Sequence, residues 1–254
     1  MSGIEPTAIA RLKQGQPVFG VMQSIPSPTL TEIALLSGFD FIILDCEHAA
    51  VDESTQLASI QVVSLTGGFA LVRLRANEFA AVGRYLDFGV HGILMPDVRS
   101  AEDASLFVAA ATYGPRGTRS STGGGSRVQR YGLDPHAVPV KPLLLAMIEG
   151  AAGVRAIDAI SATEGLDGIV IGPHDLAADL DSPNDFSSKA YRAAFDSVES
   201  VVTRRGKILG SRTHPGFPIE RLLAAGHRFI VTSGDVSALR DGFRLHLEAV
   251  RGAR

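Results

Sequence analysis

Eight short apolar runs, each followed by a longer stretch of helical character, constrain this chain more than any other feature. The runs fall at 17–24, 39–45, 69–75, 92–98, 143–149, 168–172, 207–213 and 229–233 and are rich in Val, Ile, Leu and Phe. Continuous rather than alternating apolar character marks strands buried on both faces of a parallel sheet. The stretches between them, 29–37, 53–66, 79–88 and 101–112 among others, read as helices. Asp52 and Ser100 stand where an N-cap is needed, each with a carboxylate at or just inside the first turn. Gly38, Gly89 and Gly226 follow helical runs, where a left-handed cap is expected. Strand–helix alternation along a whole chain requires parallel pairing with right-handed crossovers. Eight such units favour closure into a (β/α)8 TIM barrel, which takes roughly 250 residues. The 254 residues therefore read as a single barrel domain spanning 1–254.

Composition narrows the partners. A net charge of −3, with Arg and Lys spread along the chain, gives no basic footprint for nucleic acid. Nothing approaches the roughly 18 continuous apolar residues of a membrane span, and residues 1–15 lack a signal-like apolar core. The single cysteine, Cys46, excludes an internal disulfide. The chain is thus expected to be soluble and cytoplasmic. No dinucleotide or P-loop glycine motif follows a strand. Gly123-Gly124-Gly125 lies in a long polar segment, 114–132, which reads as a mobile active-site loop. Residues 236–254 form an amphipathic helix with Leu239, Phe243, Leu247 and Val250 on one side, suited to closing the barrel or packing on a partner chain.

The site of such a barrel lies at the C-terminal ends of its strands, and the polar residues obey that rule. Run two ends in Asp45-Cys46-Glu47-His48, run three in Arg73-Leu74-Arg75, run four in Pro96-Asp97, run five in Glu149, and run six in Gly172-Pro173-His174-Asp175. A carboxylate directly after a wholly apolar strand, as at Glu149, is costly unless paired or bound to a cation. Glu149 and Asp175 on neighbouring strands suit Mg2+ or Mn2+; equally, they read as partners of Arg73 or as helix caps. His48, beside Asp45 and Glu47, reads as an oriented general base or as a solvated loop histidine. Arg73 reads as an ion-pair partner or as a clamp for an anion or enolate.

The stretch Gly38-Phe39-Asp40-Phe41-Ile42-Ile43-Leu44-Asp45-Cys46-Glu47-His48 resembles a GFDxxxxDxEH motif of the HpcH/HpaI aldolase family, class II pyruvate aldolases that include 2-keto-3-deoxy sugar-acid aldolases. Leu86-Asp87-Phe88-Gly89 with Leu94-Met95-Pro96, Tyr113-Gly114-Pro115-Arg116-Gly117-Thr118-Arg119, Ile148-Glu149 and Ile171-Gly172-Pro173-His174-Asp175-Leu176 are similar to further motifs of that family, in the same order. The resemblance covers about Phe19 to Asp235.

It implies the following. Glu149 and Asp175 hold a divalent metal, Mg2+, Mn2+ or Co2+. Arg73 touches the keto oxygen. His48, with Asp45 and Asp87, activates a water that moves the proton. Gly172, His174 and Asp175 offer backbone amides to the pyruvyl carboxylate. The reaction implied is reversible aldol cleavage of a 4-hydroxy-2-oxo acid to pyruvate and an aldehyde. The assembly implied is a hexamer with exchanged C-terminal helices. Alternatives are a lyase or decarboxylase of the same superfamily acting on oxaloacetate or an acyl-CoA thioester, or a non-catalytic barrel that binds an oxo acid. The first needs an adenine or phosphate site, of which the sequence gives no sign; the second has no use for Asp45, His48 and Arg73 together. The chain departs from the family pattern at Met147, at His174 and at Ser211-Arg212-Thr213-His214. The last of these makes Arg212 a candidate substrate-binding residue and points to a hydroxylated or anionic acceptor.

Overall fold

The structure, a computed structural model, describes residues 6–134 and 140–252. Its eight strands are β1 (Val18–Gln23), β2 (Phe41–Asp45), β3 (Phe69–Arg73), β4 (Gly92–Met95), β5 (Leu143–Ile148), β6 (Gly168–Ile171), β7 (Ile208–Arg212) and β8 (Phe229–Gly234). They pair in parallel, in sequence order, and β8 returns to β1 to close the barrel. Helices α1 (Thr7–Lys13), α2 (Pro28–Leu36), α3 (Glu53–Thr66), α4 (Phe79–Asp87) and α5 (Ala101–Ala111) belong to the first half. Helices α6 (Ala151–Ala162), α7 (Pro173–Asp179), α8 (Lys189–Arg204), α9 (Ile219–Ala224) and α10 (Asp235–Gly252) follow β5 to β8. All eight expected strands and the four named helices are present. Asp52 and Ser100 accept from the amides of Thr55 and Asp103, and Gly38, Gly89 and Gly226 take positive φ.

Side-chain alternation divides the apolar residues into two cores. Inside the barrel lie Val18, Phe41, Ile43, Phe69, Leu71, Leu94, Leu143, Leu145, Met147, Val170, Phe229 and Val231. Phe41 stacks on Phe229 with centroids 4.1 Å apart. Gly20 permits this, because a Cβ there would stand 2.3 Å from the Phe41 ring. Ala8, Ile9 and Leu12 of α1 share this inner core, so α1 seals the N-terminal floor. The opposite parity, Ile42, Leu44, Val72, Ile93, Ile148, Ile169 and Leu209 among others, faces the helices. Burial of both faces explains the unbroken apolar runs.

The same parity carries upward past the core. Counting in twos along each strand leads from Ile43 to Asp45, from Leu71 to Arg73, from Met147 to Glu149, from Val170 to Gly172 and from Gly210 to Arg212. Each steps from the inner layers to the C-terminal mouth.

One expectation is corrected, and one is narrowed to the second of its two alternatives. The segment 114–132 does not form part of the mouth. Arg127 bonds Phe88 O and Ser64 Oγ, and Arg119 bonds Asp87 at 2.6 Å, so the segment packs on the outside of α3 and α4. Its irregular helical turn is Arg127–Gly132. Helix α10 does not close the barrel: it is amphipathic as expected, but none of its residues is buried, and Phe243 is 70% exposed. No helix among the described residues is long and apolar enough to cross a membrane.

Candidate active site at the C-terminal mouth

The mouth is a cleft of about 190 Å³ whose lining includes Ser24, Asp45, His48, Arg73, Glu149, Gly172, His174, Asp175 and Arg212. Its floor is the top of the inner core, Met22, Ile43, Leu94, Met147, Val170 and Val231. A larger depression of about 390 Å³ lies outside the barrel between α4 and α5. It has fewer polar groups, and the perturbed carboxylates converge on the mouth instead.

Arg73 is the centre of this mouth. It is a register partner of Asp45 on the neighbouring strand. Its Nε donates to Asp45 Oδ1 at 3.0 Å and its Nη2 to Oδ2 at 2.8 Å. Its Nη1 lies 3.3 Å from Glu47 Oε2. Asp45 is buried, and its carboxyl is held below the usual range. Burial pushes it up, but the Arg73 bonds and charge, with amide bonds from Glu47 and His48, outweigh that. Ser24 Oγ adds a contact of 3.2 Å to Asp45. Arg75, the other arginine of that strand end, is exposed and absent from the lining.

Glu149 behaves differently. It is 9% exposed, and its carboxyl is pushed up to about 7 by burial, opposed by a bond from the Asp97 amide, with Glu47 and Asp175 adding repulsion. The Asp97 amide donates to Glu149 Oε2 at 2.8 Å. Asp97 takes φ 50° to aim it, a conformation aspartate tolerates better than most residues. Gly172 leaves Glu149 its space, since a Cβ there would lie 2.6 Å from Oε1. A buried carboxylate with a second acid beside it and no full counter-charge is the environment a cation relieves. Among the described residues no group of three or more His, Cys, Asp or Glu is placed as a metal cage. Two carboxylates that leave most positions to water and substrate oxygens fit a hard ion such as Mg2+.

His48 projects from the loop after β2 with its side chain 65% exposed. Its Nε2 lies 3.6 Å from Glu47 Oε2. Asp45 meets only the His48 backbone amide, at 3.3 Å, so the carboxylate beside the ring is Glu47. Asp87 does not join the mouth. It sits at the end of α4 facing Arg119, whose guanidinium also covers Tyr113 at 4.4 Å. Position 87 closes a helix packed on the outside of the barrel, and so does not reach His48 within one chain. His174 lines the mouth and packs edge-on against Phe186 at 5.3 Å. The sequence does not single out Ser24 or the Asp97 amide, and it offers Glu47 as a neighbour of His48 but not as a partner of Arg73. Glu47 had a signal, since it shares a strand end with Asp45.

A parallel barrel with a buried arginine, a desolvated carboxylate beside an exposed one, and an exposed histidine at its C-terminal mouth defines a class of enzyme that handles small anionic carbonyl compounds. The family model for HpcH/HpaI aldolase/citrate lyase matches residues 20–213, and the chain belongs to that family. It is a carbon–carbon lyase. The chain is 33% identical to the 5-keto-4-deoxy-D-glucarate aldolase of Escherichia coli O9:H4 (strain HS) over 235 residues, 91% of each chain. It is 32% identical to the enzyme of the same name from Salmonella paratyphi A over 234 residues, again 91% of each. Among solved structures, it resembles an HpcH/HpaI aldolase/citrate lyase family protein from Burkholderia cenocepacia J2315, with TM-score 0.89, 27% identity and coverage of 97% and 100%. The citrate synthase SbnG gives TM-score 0.84 and 27% identity, covering 96% and 97%.

Proposed function

We propose that the protein catalyses metal-dependent, reversible aldol cleavage of a 4-hydroxy-2-oxo acid to pyruvate and an aldehyde. The observation that carries this reading is the convergence of Arg73 with Glu149 and Asp175 on one mouth. Glu149 and Asp175 would hold the divalent cation, with Mg2+ or Mn2+ favoured by the all-oxygen donor set. Bound there, the cation supplies Lewis acidity toward the 2-keto group. Arg73, locked by Asp45 and Glu47, turns its guanidinium to the negative charge that develops on that oxygen. The first-turn amides of His174 and Asp175 have no intrahelical acceptor and face the pyruvyl carboxylate. His48, with the Glu47 carboxylate beside its ring, takes the proton of the 4-hydroxyl through a water and returns it to the methylene carbon after cleavage.

The named relatives at 33% identity act on 5-keto-4-deoxy-D-glucarate, which places sugar-acid derivatives first among the compounds to try. The apolar, exposed face of α10, with Phe243, Leu247 and Val250, is proposed to pack against further copies in a hexamer with exchanged helices. A cytoplasmic setting accords with one buried, unpaired Cys46. The test is pyruvate release from 4-hydroxy-2-oxo acids before and after chelation. Cleavage lost with chelator and restored by Mg2+ or Mn2+ supports the reading; cleavage indifferent to metal overturns it.

A further inference from the structure

Arg212 ends β7 in the inward register of Ile208 and Gly210 and lines the mouth. Unlike Arg73, it has no carboxylate partner among the described residues. The charges around it make this conspicuous: burial and the facing Arg73 both hold its guanidinium below the usual range. A half-buried cation opposed by another cation is unfavourable until an anion arrives.

The guanidinium also points away from the carboxylates. A Cβ on Gly234, at the end of β8, would lie 3.7 Å from Arg212 Nη2 and equally near Met22 O of β1. The side chain therefore leans toward the β8–β1 wall, whereas Glu149 and Asp175 follow β5 and β6. In an eight-stranded ring, β7 stands opposite β3, so Arg212 and Arg73 face each other across the opening.

The backbone that presents Arg212 is pinned on both sides. Ser211 Oγ donates to Ile171 O of β6 at 3.1 Å, and Thr213 Oγ1 donates to Thr232 O of β8 at 2.9 Å. His214 Nδ1 donates to the Arg212 carbonyl at 2.7 Å, while its Nε2 accepts from Tyr191 Oη at 2.8 Å. The His214 ring stacks on Phe217, with centroids 4.4 Å apart. A strand end fastened by three side chains that themselves stay out of the mouth supports one inward group with little freedom.

We propose that Arg212 is a specificity-determining residue that binds a carboxylate on the aldehyde portion of the substrate. The preferred substrates are then diacids: a 4-hydroxy-2-oxo acid with a second carboxylate beyond C4, cleaved to pyruvate and an anionic aldehyde. This rests on the aldolase reading above. The planar guanidinium suits a carboxylate better than a hydroxyl, since it pairs with two oxygens at once.

The experiment compares aldol addition of pyruvate to glyoxylate, an anionic aldehyde, with addition to glycolaldehyde, a neutral one of similar size. The wild-type enzyme is set against Arg212→Gln and Arg212→Lys, and thermal unfolding checks that each variant is folded. The expected result is a loss in kcat/KM of about 10- to 100-fold with glyoxylate in Arg212→Gln, a change under about twofold with glycolaldehyde, and partial recovery of glyoxylate use in Arg212→Lys. Metal-dependent exchange of the pyruvate methyl protons, which needs no aldehyde, stays at the wild-type rate. Equal losses with both aldehydes, or a raised pyruvate KM with slowed exchange, would put Arg212 on pyruvate and overturn the assignment. A wild-type enzyme without preference for glyoxylate overturns it as well. Absence of exchange in the wild-type enzyme overturns the aldolase reading itself.

Discussion

Asp45 and Arg73 are register partners on adjacent strands, and their side chains meet in two parallel bonds of 3.0 and 2.8 Å. The pair is buried, so neither group reorients without leaving a charge unpaired. This fixes which edge of the guanidinium is spent on the protein: Nε and Nη2 go to Asp45, and Nη1 is left toward Glu47 and the mouth. Arg73→Lys keeps the charge and loses the fork. At least a tenfold loss in kcat/KM is expected, about 1.4 kcal/mol. Asp45→Asn should cost a similar factor while leaving metal affinity intact, because Asp45 touches neither Glu149 nor Asp175. Near-normal kinetics in Arg73→Lys would place the arginine outside the chemistry.

Metal binding should be coupled to proton release. With its carboxyl pushed up to about 7, Glu149 is about half protonated near neutral pH in the metal-free protein, and a cation can be ligated only by the ionised form. Calorimetry at pH 7 in buffers of differing ionisation enthalpy should report about half a proton released per metal. Glu149→Gln should remove both the binding and the proton, and Asp175→Asn the binding, with the fold retained in each. An active Glu149→Gln variant indifferent to metal would falsify the ligand assignment.

His48→Ala should separate turnover from affinity. The ring is exposed and touches neither Glu149 nor Asp175, so pyruvate affinity should change little. Turnover should fall by about 10²- to 10⁴-fold, the range for loss of a general acid–base group. Glu47→Gln, which removes the carboxylate 3.6 Å from Nε2, should show the same pattern more weakly. If affinity and turnover fall together in His48→Ala, the histidine is part of the binding surface.

Acid should destabilise the fold through two histidines held neutral. His91 Nδ1 accepts from the Ala70 amide at 3.2 Å, and His214 Nε2 accepts from Tyr191. Burial lowers each to about 4 from 6.5. A folded pKa below the unfolded one means that their contribution is fully present above pH 6.5 and is lost as pH falls toward 4. Each contributes at most about 3 kcal/mol across that window. His91→Asn keeps a side-chain acceptor for the Ala70 amide but does not titrate. Urea unfolding at pH 7 and pH 5 should show a smaller difference for His91→Asn than for wild type; an unchanged difference would exclude His91 as a contributor.

The barrel and most of its mouth were legible because both follow from a period of two. Once Ile43, Leu71 and Met147 are known to face inward, Asp45, Arg73 and Glu149 face inward too, and the strand ends carry them to the rim. What local pattern did not convey was pairing between distant segments. Glu47 meets Arg73 across 26 positions, and the Asp97 amide meets Glu149 across 52. The family resemblance groups Asp87 with His48, yet within one chain its helix turns it outward to Arg119. The segment 114–132 shows the same limit. Its polar, glycine-rich composition describes a loop equally well over the mouth or, as found, against α3 and α4. Most of the runs extend one to three residues beyond the strands, because rim residues such as Arg75, Asp97 and Glu149 follow the last ladder pair without joining the ladder.

The lysines decide the type of aldolase. An enzyme of the Schiff-base type needs a lysine amine at the mouth, and the chain has only Lys13, Lys141, Lys189 and Lys207. Lys13 lies on α1, which seals the opposite end of the barrel. Lys141 precedes β5 and pairs with Asp167 at 2.8 Å. Lys207 precedes β7 and donates to the carbonyls of Thr163 and Leu166. Both therefore sit at strand starts, a barrel height below Arg73. Lys189 opens α8 on the exposed outer surface. None of the four lines the mouth. Charge on the keto oxygen must then be stabilised without a covalent link to the protein. Borohydride added with pyruvate should leave no mass adduct and no inactivation, and the pyruvate methyl protons should exchange with deuterated water only when a divalent metal is supplied. A lysine found carrying reduced pyruvate would overturn both the non-covalent mechanism and the placement of the reacting centre between Arg73 and Glu149.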